Sequence, residues 1–321
     1  MKTKTSFTFA GNGRGNHLDG YGTNAILCGP YAIALHKDRK RLFVSEDSDI
    51  IRQIDISPLT SSTSASEFSF NTTNMFKVQT LCGKPTTKGF ADGIGKIARF
   101  SSPSGLAFSR TWDDTLFVCD SLNDCIRKVD VSCGIVTTLS GSVAQPGYLD
   151  GISNTAKFNY LKGICVDEED NIYVCDTNNH AIRKVDSYEG SVTTLMRDPK
   201  FKFPAFVVYD NKSKSLIFTH NHAVSKIRLP RTIFTWQLKR LFRIHRLLSR
   251  HIENEIWKRL LLELISFAIA PIEENKFKSE EQKKRKKVIQ YARQKSTLQN
   301  AKRLRMAFLT FVFDQIKNDD E

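Results

Sequence analysis

A unit of roughly 50 residues recurs along the first two thirds of this chain, and a period of that length points to a repeat architecture before any single residue is weighed. Residues 9–54, 81–129 and 139–185 share one order of features. Each opens on a strand-like stretch ending in glycine. A loop with Asp-Gly follows: Asp19-Gly20, Asp92-Gly93 and Asp150-Gly151. Short strand-like runs come next. Leu116-Phe117-Val118-Cys119 and Ile172-Tyr173-Val174-Cys175 are apolar, β-branched or aromatic and are bounded by turn formers. Ile126-Arg127-Lys128-Val129 and Ile182-Arg183-Lys184-Val185 start and end apolar around two cations. Val136-Thr137-Thr138-Leu139 and Val192-Thr193-Thr194-Leu195 supply a fourth, β-branched run. Four short strands per unit is the arithmetic of a β-propeller blade.

The run from Pro103-Ser104-Gly105-Leu106-Ala107 or Leu161-Lys162-Gly163-Ile164-Cys165, through Phe/Tyr-Val-Cys-Asp, to Asn-x-x-Ile-Arg-Lys-Val resembles the NHL repeat. Residues 103–141 and 160–195 carry the resemblance most closely. Residues 31–83 depart from it: Ile51-Arg52-Gln53-Ile54 replaces the Ile-Arg-Lys-Val run, and a Ser/Thr-rich insertion over 57–74 lengthens the link to the fourth strand as a surface loop. A degraded fourth unit follows in Phe206–Tyr209, Leu216–Thr219 and Asn221–Ile227, where Ser225 stands in place of the arginine. The resemblance implies an all-β propeller of about four four-stranded blades over 1–230. Ser6–Gly11 reads as a fourth strand without a blade of its own, so it is expected to complete the last blade and close the ring.

Charge divides the chain. Its net charge is +14 over 321 residues, yet residues 1–230 hold 27 Lys/Arg against 23 Asp/Glu, while residues 231–321 hold 21 against 11. The seven cysteines all precede residue 230, and none forms a CxxC pair. Several lie within apolar strand runs, and they read as reduced core thiols of an intracellular, cytoplasmic protein. No signal-peptide core and no membrane-spanning apolar run is apparent; Leu260–Ile272 is too short and contains Glu263.

Familiar catalytic patterns fit poorly. The glycines of residues 10–16 lack phosphate-loop spacing and precede no helix. Glu46–Asp49 and Asp167–Asp170 sit at hairpin turns and lack calcium-loop spacing. His220 and His222 form no zinc set, since His222 repeats the turn position of His180. The expectation is a non-enzymatic protein without metal or cofactor. Candidate partner contacts are the polar turn residues Asn123, Asp124, Asn178, Asn179 and His180, each with a plain solvated turn as its alternative. Arg127 and Arg183 read as pairing with acids of neighbouring blades, or else as contacts for RNA phosphate or an acidic partner.

From about residue 235 the pattern turns helical, with helices expected over 235–270, 279–298 and 299–317. The first is amphipathic and basic; its Phe234, Leu238, Leu241 and Leu247 have the spacing of calmodulin targets across 234–250. Glu255-Ile256-Trp257 with Leu260, Leu261 and Leu264 faintly resembles an F-box, without its Leu-Pro start, which would imply a ubiquitin-ligase adaptor. The run Lys283, Lys284, Arg285, Lys286 and Lys287 could face RNA or another acidic surface. Known NHL propellers bind proteins or RNA. The chain therefore reads as a scaffold for a protein partner, with an RNA-binding protein as the alternative.

Overall fold

The structure is a computed structural model that describes residues 8–57 and 75–229. These lie within the first of two units of the chain, Met1–Thr232. Most of the Ser/Thr-rich insertion, the three expected C-terminal helices and Lys283–Lys287 lie outside the described residues.

Eighteen strands form four antiparallel sheets, the blades of a β-propeller. Blade 1 holds β1 (Gly20–Tyr21), β2 (Pro30–Leu35), β3 (Arg41–Glu46), β4 (Ile50–Asp55) and β5 (Lys77–Gly83). Blade 2 holds β6 (Gly93–Ile94), β7 (Pro103–Phe108), β8 (Thr115–Asp120), β9 (Cys125–Asp130) and β10 (Ile135–Ser140). Blade 3 holds β11 (Gly151–Ile152), β12 (Leu161–Val166), β13 (Asn171–Asp176), β14 (Ala181–Asp186) and β15 (Ser191–Arg197). Blade 4 holds β16 (Val207–Asp210), β17 (Ser215–His220) and β18 (Ala223–Arg228).

In blades 1 to 3 the four long strands run as a meander from the inner strand outward. The linking loop then adds a two-residue fifth strand on the outer edge, as in the pairing of Gly93 with Val136 and Gly151 with Val192. Sequence alone suggested four strands per blade, because two residues of a Gly-rich loop carry no strand pattern. Pairing with an already formed edge is what makes them extended.

The alternation of side chains along each strand sends one set to the preceding blade and the other to the following one. Three apolar cores result, one per junction. Phe43, Ile51 and Cys82 of blade 1 meet Phe100, Leu106 and Leu116 of blade 2. Phe117, Cys119 and Ile126 of blade 2 meet Phe158, Ile164 and Val174 of blade 3. Tyr173, Cys175 and Ile182 of blade 3 meet Val207, Leu216 and Phe218 of blade 4. Among the described residues no such core joins blade 4 to blade 1; Tyr31 and Phe206 stack there with ring centroids 6.2 Å apart.

The expected ring closure takes a different form. Thr8 to Gly11 form no ladder with β18, and blade 4 keeps three strands among the described residues. Phe9 instead lies edge-on to Phe76 of blade 1, 5.3 Å between centroids. Residues 1–7 lie outside the described residues.

The cysteines are all free thiols. Cys82, Cys119, Cys125 and Cys175 are core residues, and burial pushes the Cys82 thiol up to about 12. Cys133 departs from the core-thiol expectation: it is exposed, in the turn between β9 and β10, where no neighbouring sheet covers it.

Candidate functional site

The polar repeat positions converge at one end of the blades, where the hairpin turns β8–β9 and β13–β14 meet the linking loops. The arginine of the third long strand is central. Arg127 is fully buried and donates through Nη1 to Asp120 Oδ2 at 2.7 Å and to the Arg99 carbonyl at 2.9 Å. Its Nη2 donates to the Ala91 carbonyl at 2.8 Å and to Asp92 Oδ1 at 2.7 Å. Phe90 and Phe100 lie over its guanidinium at 4.7 and 5.1 Å. Arg183 repeats this with Asp176, Lys157, Leu149 and Asp150, beside Tyr148 and Phe158. Arg52 repeats it with Glu46, Ile26, Leu18 and Asp19. Each arginine thus ties the turn-side acid of its own blade to the Asp-Gly linking loop, which explains why both acids and the arginine recur together. The guanidinium suits the task because its planar fork reaches two carboxylates and two carbonyls at once. Burial pushes Asp120 up to about 6 and also raises Glu46 and Asp176, against the pull of the arginines. Arg127 and Arg183 are structural, as the first of their two sequence readings expected, but the acids they pair with belong to their own blades and not to neighbouring ones, and neither buried guanidinium is open to an outside phosphate.

The five predicted partner contacts lie at this same end, and most are turned inward. Asn123 is buried and donates to the Gly89 carbonyl at 2.8 Å and to Asp120 at 2.9 Å. Asn179 does the same to Gly147 and Asp176, at 2.7 and 2.9 Å. Asp124, in the left-handed region at φ 52°, accepts the N–H of Tyr160 in blade 3 at 2.7 Å. His180, at φ 55°, accepts the N–H of Phe203 through Nδ1 at 3.2 Å, and its ring meets Phe203 edge-on at 4.5 Å. Asp49 of blade 1 makes the matching bond to the N–H of Ser102, 2.9 Å. These three bonds latch each blade to the next. Asn178 is exposed and donates to Asn159 at 3.1 Å.

The sequence reading missed the apolar side chains that this scaffold displays. Asn123 and Asn179 hold the linking loops at Gly89 and Gly147, which places Phe90 and Tyr148 beside the turns, both exposed on one edge. Leu122, between the buried Ser121 and Asn123, points out and is half-exposed. The signal was present as Gly-Phe-Ala-Asp-Gly at 89–93 and Gly-Tyr-Leu-Asp-Gly at 147–151. The aromatic there covers the buried arginine and stays partly exposed; Tyr148 also meets Arg197, 4.0 Å from its ring centroid, and bonds Thr194 through its hydroxyl at 2.9 Å. Among the described residues no group of three or more His, Cys, Asp or Glu side chains is placed to hold a metal ion. No helix among them is long and apolar enough to cross a membrane.

Comparison with known proteins agrees with this architecture. The NHL repeat family profile matches residues 158–185, which run from Phe158 beside the clamp through Asp176 to Val185. The chain is 27% identical over 190 residues, 59% of its length, to Protein SUPPRESSOR OF QUENCHING 1, chloroplastic, of Arabidopsis thaliana. It is 34% identical over 111 residues, 33% of its length, to human NHL repeat-containing protein 2. It spans 17% and 15% of those two proteins. Among solved structures, a chain of a nidogen/laminin complex aligns with a TM-score of 0.43 at 15% identity, covering 62% of this chain and 60% of that one. The matched segment shows an NHL repeat at residues 158–185, its arginine clamp recurs in the neighbouring blades, and the described residues form a four-blade β-propeller.

Proposed function

We propose that the chain is a non-enzymatic scaffold that grips a protein partner with the turn end of its propeller. One observation carries this reading. The polar groups at that end are spent inside the molecule, and what they hold out to solvent is Phe90, Leu122 and Tyr148, with Asn178 alongside. Exposed aromatic and aliphatic side chains on a rigid frame are the usual anchors of protein interfaces. The carboxylates of Asp120 and Asp176 are buried and bonded to arginines, which suits a structural role better than acid–base chemistry. The test is capture of partners by the full chain, compared with L122E/N178E by quantitative mass spectrometry. Both substitutions lie outside the core, so stability is expected to hold within about 0.5 kcal/mol. A set of proteins lost from the variant supports the reading. An unchanged set overturns it.

The separation of charge favours a second contact through residues 231–321, with their 21 Lys/Arg and 11 Asp/Glu. An acidic protein surface, a calmodulin-like partner at 234–250 or RNA are the classes its composition fits. Replacement of Lys283, Lys284, Arg285, Lys286 and Lys287 by glutamine should weaken RNA binding and flatten its salt dependence if RNA is the ligand. An absence of RNA binding at low salt would remove that class. Recovery of ubiquitin-ligase core subunits with the full chain would instead favour the adaptor role.

A further inference from the structure

We propose that two copies of this chain associate head to tail, the open face of blade 4 in one copy packing on the open face of blade 1 in the other. The register identifies equivalent positions. Ile33, Leu106, Ile164 and Val207 occupy the same place on the four inner strands, since they pair with Val44, Val118, Val174 and Phe218. Leu106, Ile164 and Val207 are 8%, 7% and 4% exposed, each covered by the preceding blade, whereas Ile33 is 68% exposed. Blade 4 shows the converse. Ile51, Ile126 and Ile182 are wholly buried against the following blade, whereas their counterpart Val224 is 68% exposed. Leu35 on blade 1 and Val208 on blade 4 extend the two bare faces. Each is a blade-to-blade surface of the kind that forms three cores within the molecule, and each lacks its partner.

The ends also fit each other in strand count. Blade 4 has three strands and a free β18 edge among the described residues. Blade 1 carries residues 9–11 against its linking loop, outside any strand. Gly11 donates to the Gly22 carbonyl at 3.2 Å, as Gly141 of blade 2 donates to Ser153 at 3.0 Å in blade 3. Phe9 packs onto blade 1 as Leu139 packs onto blade 3. Residues 9–11 therefore fill the fourth-strand slot of a blade preceding blade 1, and a complete four-stranded blade cannot enter that slot. A three-stranded blade can, and the chain has one at its other end. Within one molecule the two ends touch through the Tyr31–Phe206 stack, but the latch that Asp49, Asp124 and His180 make has no equivalent from the Asn221–His222 turn to Gly29 among the described residues. A second copy supplies both missing halves, and two such junctions related by a two-fold axis close the pair.

Each junction joins two different faces, which makes the pairing testable by complementation. I33E blocks the blade 1 face and V224E the blade 4 face; both side chains are exposed and belong to no core. Sedimentation and light scattering of the full chain over a range of concentrations should show the mass rising from 36.5 kDa toward twice that value. Each variant alone should remain at the chain mass. An equimolar mixture of the two retains one intact junction and should recover association. A wild-type chain that stays at 36.5 kDa, a variant that associates like wild type, or a mixture that fails to recover would overturn the proposal.

Discussion

Blades 1 to 3 each hold a buried arginine paired with a buried carboxylate. Arg127 and Asp120 are both fully buried, so removing one partner strands the other without water. Arg127→Ala is expected to cost about 3–5 kcal/mol in urea unfolding, because it leaves Asp120 uncompensated. Replacing both partners with apolar residues of similar volume, as in R127M/D120L, should recover much of that loss. The titration of Asp120 carries a second prediction. Its carboxyl is raised to about 6 by burial, against an ordinary 3.8. Between those values the folded protein binds more protons than the unfolded chain, so this group's contribution to stability falls as pH climbs from about 4 to about 6. Carbon-detected NMR of the Asp120 carboxyl should place its midpoint near 6; a midpoint below 4 would refute the assignment.

At the level of elements, inner strands decide how close blades approach. Gly105 on β7 and Gly163 on β12 have no positive φ to require glycine; the demand is space. A Cβ on Gly105 would run into the Lys162 carbonyl of blade 3, and one on Gly163 would sit 2.7 Å from the Ala205 carbonyl beside blade 4. Backbone cannot yield as a side-chain tip can. G105A and G163A should therefore each lower stability by about 1–3 kcal/mol, read as a shift in thermal midpoint without loss of the β spectrum. Blade 4 shows what remains when the clamp is gone. Ser225 stands in place of the arginine and bonds His220 at 2.8 Å, a single contact where blades 2 and 3 have four. Its linking loop also differs, since residues 198–206 contain no Asp-Gly.

For the whole molecule, these differences grade the blades. Among the described residues, blades 2 and 3 are covered on both faces and clamped, whereas blade 4 is covered on one face and unclamped. In repeat architectures, stability is close to a sum of unit and junction contributions. Amide hydrogen exchange should therefore show β17 and β18 opening at lower free energy than β13 and β14. Equal protection across blades 3 and 4 would contradict that ranking, unless measured at concentrations where copies pair through these ends.

Local pattern was enough to reveal the period, the long strands, the weakness of the fourth blade and the pairing of Arg127 and Arg183 with blade acids. Those properties are written in neighbouring residues: β-branched runs, turn formers, and an arginine that recurs 33 to 35 residues after the aspartate of each Asp-Gly. Asn123, Asp124 and His180 carry the same turn chemistry whether they face solvent or a neighbouring blade, so only the folded arrangement revealed that they hold the molecule together while Leu122 faces out. Ring closure is less local still. It depends on the summed curvature of three junctions, and no stretch of sequence contains that sum. The order of residues determined that a degraded unit without the arginine follows the regular ones; the tertiary structure decided that, among the described residues, that blade keeps three strands and touches blade 1 through Tyr31 and Phe206 without an apolar core between them, because the packing of the intervening blades leaves Ile33 and Val224 exposed.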